Sequence, residues 1–122
     1  MSQARFLLIG LPPRHPSVPE HIRDQIAIEL EETLPNAAKE AGLNLDSYWV
    51  VPEDPIDKFK NELISRPDVV AVVIGFGVRG NPGMTILFEQ LVNAIVEVAP
   101  KKRILFNSNV MSTIDAIKRY SP

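Results

Sequence analysis

Apolar positions along this chain fall into two kinds of pattern, and the two alternate. RFLLIGL, residues 5–11, is a short apolar run that stops at Pro12-Pro13, where ladder donors are lost, and it predicts a buried first strand. Val18, Ile22, Ile26, Leu30 and Leu34 then recur at helical spacing with charges between them. The start of this first helix falls at Ser17-Val18-Pro19-Glu20, an S-x-x-E capping box in which Ser17 would accept from an early amide and Glu20 would reach back. Pro35 is expected to break or bend the helix and Gly42 to stop it.

DSYWVV, residues 46–51, is aromatic and β-branched, is bounded by Pro52, and reads as the second strand. Asp54-Pro55 is a cap followed by proline at the first helical position, and Ile56, Phe59 and Leu63 give the second helix one buried stripe that ends near Arg66-Pro67-Asp68. VVAVVIGF, residues 69–76, is apolar throughout, as a strand covered on both faces must be, so the third strand belongs in the middle of a parallel sheet. Asn81-Pro82 repeats the cap-then-proline order before a third helix over residues 84–98, which is apolar on more than one face. RILFN supplies the fourth strand, and Ser112 with Asp115 is expected to cap a short closing helix carrying Ile114 and Ile117.

Strand and helix thus alternate four times. Short right-handed crossovers make this an α/β fold, a three-layer α/β/α sandwich around a four-stranded parallel sheet, flavodoxin-like or Rossmann-like, as one domain over residues 1–122. Strand order 2-1-3-4 puts the apolar first and third strands in the centre. The surplus apolar surface of the third helix predicts a homodimer through residues 84–98.

Composition narrows the function. The net charge of −2 speaks against a nucleic-acid partner, which needs clustered Lys and Arg, and Lys101-Lys102-Arg103 reads as a solvated strand entrance. With no cysteine, disulfides, thiolate metal sites and thiol nucleophiles are excluded, and with two histidines no metal site is expected. The N-terminal apolar run is too short for a signal segment or a membrane span, so the expectation is a cytoplasmic protein without membrane contact.

Gly75-Phe76-Gly77-Val78-Arg79-Gly80 spells G-x-G-x-x-G. A dinucleotide site places that loop after the first strand and an acid at the end of the next. Here the loop follows the third strand, and the next strand ends Phe106-Asn107-Ser108-Asn109. A flavin phosphate loop after the first strand would need free amides, which the prolines at 12, 13, 16 and 19 remove. No cofactor is therefore expected, and a flavin or nicotinamide nucleotide at Gly75 to Gly80 ranks third among the functional readings.

Ligands of open parallel sheets sit where the strands end and the connections diverge, here between the first and third strands. Four loops meet there, bringing Arg14 and His15, then Glu53 and Asp54, then Gly75 to Asn81, and then Asn107, Ser108 and Asn109. Inward amides at Gly75, Gly77 and Gly80, the start of the third helix at Asn81, and the guanidinium groups of Arg79 and Arg14 would hold a carboxylate or phosphate. Asn107 and Asn109 would orient it. His15, with Glu53 or Asp54 as its carboxylate partner, would move a proton, which gives a cofactor-independent isomerase, lyase or hydrolase acting on a small anionic metabolite. The alternative is a non-catalytic homodimeric or heteromeric interaction module.

Overall fold

Alternation of side chains along four short strands sorts the core into two layers. In the computed structural model, which describes residues 4–120, β1 (Arg5–Gly10), β2 (Asn44–Trp49), β3 (Val69–Ile74) and β4 (Arg103–Phe106) form one parallel sheet of order β2-β1-β3-β4. Leu7, Ile9, Val72 and Ile74 point to one face, where they meet α3 (Ile56–Ile64) and α5 (Thr85–Val98) through Phe59, Leu63, Leu87 and Leu91. Phe6, Leu8, Ala71 and Val73 point to the other, covered by α2 (Leu34–Glu40) and α6 (Thr113–Lys118). The expected three-layer, flavodoxin-like sandwich is the fold, with β1 and β3 central.

The first helix starts later than its capping box implies. Pro19 has ψ 132, which is not helical, so Ser17 cannot cap; a 3-10 turn begins at Glu20, and the Ser17 N–H instead donates to His15 Nδ1. The helix then runs as α1 (Arg23–Ile28), a π turn over Glu29–Thr33, and α2, with Pro35 in the first turn of α2. The wider turn comes just before the residue that has no N–H to give, so helical backbone runs on past Pro35. Gly42 is at φ 71, and its N–H donates to Lys39 O while Leu43 N–H donates to Ala38 O, a Schellman stop of the predicted kind.

Three other local expectations change. Strand β2 begins at Asn44, two residues before DSYWVV, because Arg5 and Phe6 of β1 offer Asn44 and Leu45 a partner edge. Asp54 does not cap α3, whose N-cap residue is Pro55; its carboxylate pairs with Lys58 at 3.1 Å. Ser112 holds the N-cap position of α6, yet its hydroxyl turns back to accept from Ser108 and Asn109 N–H. Asn81 does cap as expected, its Oδ1 accepting from Gly83 N–H at 2.9 Å ahead of a 3-10 turn, Pro82–Met84, that leads into α5.

Candidate functional site

The G-x-G-x-x-G segment is a single turn of helix, α4 (Phe76–Arg79), set on the end of β3. All but one of its amides are spent locally, the exception being Gly77 N–H: Val78 and Arg79 donate to Gly75 O, Gly80 donates to Phe76 O, and Gly75 donates to Ile9 O at 2.8 Å. The Phe76 N–H is taken by Asn107 Oδ1 at 2.7 Å. None of the three glycines has positive φ. Gly75 faces Ile9 O, which a Cβ would meet at 3.2 Å, and a Cβ at Gly80 would overlap the Phe76 ring, whereas nothing crowds Gly77. Close packing therefore explains two of the three glycines. A phosphate cradle needs amides that point outward and unpaired.

Arg79 is committed as well. Its guanidinium lies over the rings of Phe76 and Phe106, at 5.1 and 5.5 Å from their centroids, and donates to Asn107 O at 2.9 Å. Asn107, buried, is the staple of this corner, with Oδ1 on Phe76 N–H and Nδ2 donating to Thr113 Oγ1. One side chain thus joins the ends of β3 and β4 to the start of α6.

His15 and Glu53 do meet. His15 Nδ1 accepts from Ser17 N–H, so the neutral ring carries its proton on Nε2 and donates it to Glu53 Oε1 at 3.1 Å. The imidazole is 10% exposed and the carboxylate 65%. To accept a proton the ring must release Ser17. Arg14 pairs with Asp24 at 2.8 Å, both well exposed, and no hydrogen bond or ion pair among the described residues joins this group to the corner around Asn107.

Between the two groups, at the ends of β1 and β3, lies a cleft of about 290 Å³. Its floor is Leu8, Gly10 and Leu11; one wall is Ile22, Ile26, Glu29 and Leu30 of the first helix. The opposite wall runs from Gly75, Phe76 and Gly77 to Asn107, Ser108, Asn109 and Val110, with Trp49 closing one side. Of the expected ligand-binding residues, Gly75, Gly77, Asn107 and Asn109 line it. Arg14, His15, Glu53, Arg79, Gly80 and Asn81 do not. The lining is mostly apolar, and the cleft contains neither of the arginines expected to hold an anion.

The apolar liners escaped the sequence reading because Ile22, Ile26 and Leu30 look like the packed stripe of an ordinary amphipathic helix. They do pack on the sheet in part, and their start also faces the cleft. The one sign in the sequence is the proline-rich connection before them, of which Pro13 and Val18 line the cleft as well. Among the described residues no group of three His, Asp or Glu is placed to hold a metal ion, and no helix is long and apolar enough to cross a membrane.

The site and fold together define a small flavodoxin-like α/β protein with an apolar cleft at its strand ends. Compared with known proteins, the chain matches no family model, and no curated protein or solved structure matches it.

Proposed function

We propose that the protein binds a small organic molecule in the strand-end cleft. The observation that carries this reading is the cleft itself: about 290 Å³ at the switch point of a parallel sheet, apolar in its body, with Asn107, Ser108 and Asn109 along one wall. That is close to the lower bound of ordinary ligand pockets, roughly 300 Å³. The apolar body would supply affinity, and the amide and hydroxyl groups would orient the ligand. Asn109 Oδ1 already accepts from Ser112 N–H, so its NH₂ group is the part free to donate. An anionic metabolite fits this lining less well than a neutral or cationic one, since no Lys or Arg faces the cleft.

A catalytic form of the same reading would use His15, with Glu53 fixing the ring. Both ring nitrogens are engaged and neither residue lines the cleft, which favours binding over proton transfer. Trp49 is the single tryptophan and lines the cleft, so its fluorescence is a built-in reporter. Titration with small aromatic and aliphatic compounds should shift or quench Trp49 emission and raise the melting temperature together. Absence of both across such a panel rejects the reading.

A second reading, self-association through α5, has its own observation. Phe88, Val92 and Val96 follow one another at four-residue spacing along α5, and Phe88 reaches the sheet-edge strand β4. Val96 is 59% exposed, and Phe88 meets Phe106 of β4 at 6.1 Å between ring centroids. The two readings are compatible, because this strip lies on the other side of the sheet from α1 and α2.

A further inference from the structure

We infer that the ligand of the cleft is a small organic cation, an amine on an apolar body, with Glu29 as its counter-ion; this rests on the cleft being the binding site. Among the described residues Glu29 is the single ionisable side chain that lines the cleft. It makes no side-chain hydrogen bond or ion pair with any described residue. The arginines that precede and open this helix are already used: Arg14, in the loop after β1, pairs with Asp24, and Arg23 donates to Val18 O and Pro16 O. Glu29 is half-buried and opens the π turn, Glu29–Thr33, whose wider backbone gives this helix a different rotation on its two sides.

Desolvation then selects the ligand. With no partner among the described residues, the half-buried Glu29 carboxylate depends on water for its hydrogen bonds. Any ligand that fills the cleft strips part of that water, and an apolar neutral or anionic molecule returns nothing for it. An ammonium group replaces the lost hydration with a charge-assisted hydrogen bond. Trp49 acts in the same sense, because it lines the cleft and an indole ring attracts organic cations, whereas the Phe76 ring is already engaged by Arg79. The apolar floor of Leu8 and Leu11 takes the body of such an amine.

The test compares three molecules of one shape: phenethylamine, phenethyl alcohol and hydrocinnamate. Dissociation constants come from Trp49 fluorescence and from amide shifts in NMR spectra of wild type and Glu29→Gln. Glu29→Gln keeps the shape of a half-exposed side chain and removes only the charge. The expected result is that the amine binds wild type about tenfold more tightly than the alcohol, with the carboxylate weakest, and that Glu29→Gln abolishes the difference while the alcohol binds as before. Equal affinities for amine and alcohol in wild type, or an amine preference that survives in Glu29→Gln, overturn the inference and leave the cleft reading standing. Failure of all three molecules to bind wild type removes the cleft reading and the inference with it.

Discussion

At the scale of single residues, the glycine motif shows how one string of letters serves different physics at each position. Gly75 and Gly80 are small because Ile9 O and the Phe76 ring occupy the space a side chain would need, and Gly77 has open space around it. Gly77→Ala should therefore leave the protein as stable or raise its stability by about 0.4 to 1 kcal/mol, since alanine reduces the freedom of the unfolded chain at a helical position. Gly80→Ala should drive the Phe76 ring off its seat, lower stability, and change ligand affinity, because Phe76 lines the cleft. Urea unfolding of the two variants distinguishes packing glycines from phosphate-binding ones; a destabilising Gly77→Ala would contradict the packing account. Asn107 makes the same point from the other side. It was legible as a polar residue at a strand end, and its role as a buried staple became visible only with Phe76 and Thr113 beside it.

At the scale of elements, the existence of every strand and long helix was readable from periodicity, and the errors gathered at their ends. Ends depend on single hydrogen bonds that compete with one another. Ser17 lost its capping role to a proline at ψ 132, Asp54 to a lysine one turn on, and Ser112 to the amides of its own preceding loop. Lys102 is a further case. Read as a solvated charge before β4, it turns inward and donates to Arg66 O at 2.8 Å and Val69 O at 2.6 Å, tying the α3–β3 connection to the start of β4. Lys102→Met should cost about 1 to 2 kcal/mol through the lost bonds. Burial draws the Lys102 ammonium below its ordinary value of 10.5, against a smaller opposing pull from Asp68. A base whose folded pKa is lowered binds fewer protons folded than unfolded, so its contribution to stability rises with pH from that lowered value up to the ordinary 10.5. The stability gap between wild type and Lys102→Met should widen over that alkaline window. Lys58 and Lys60, whose pKa values are raised by Asp54 and Glu97, titrate alike in both proteins and cancel in the difference. A gap that is flat or shrinks with pH would show that burial does not govern Lys102.

At the scale of the whole molecule, the four-stranded sheet leaves β4 with one strand neighbour and a flank of α5 without a helix beside it. If the strip of Phe88, Val92 and Val96 is covered by a second copy, sedimentation at rising concentration should show a monomer–dimer equilibrium. Val96→Glu should then return the protein to monomer without loss of melting temperature in the monomer, since Val96 is exposed and outside the core. A wild type that stays monomeric at every concentration ends that reading. Ligand affinity in the cleft should be the same in both forms, because α1 and α2 cover the opposite face of the sheet from α5.

By itself the sequence determined the class of fold, the number and order of the strands, and the end of the sheet at which polar loops and glycines gather. These follow from periodicity and from the rule that short crossovers are right-handed, both of which are local or nearly so. Only the tertiary structure decided which of those loop residues face one another. It paired His15 with Glu53, turned Arg79 onto Phe76 and Phe106, and left Glu29 at the cleft. A side chain's partner is set by distances across the fold, and residues 15 and 53, or 79 and 107, become neighbours only after four strands have aligned.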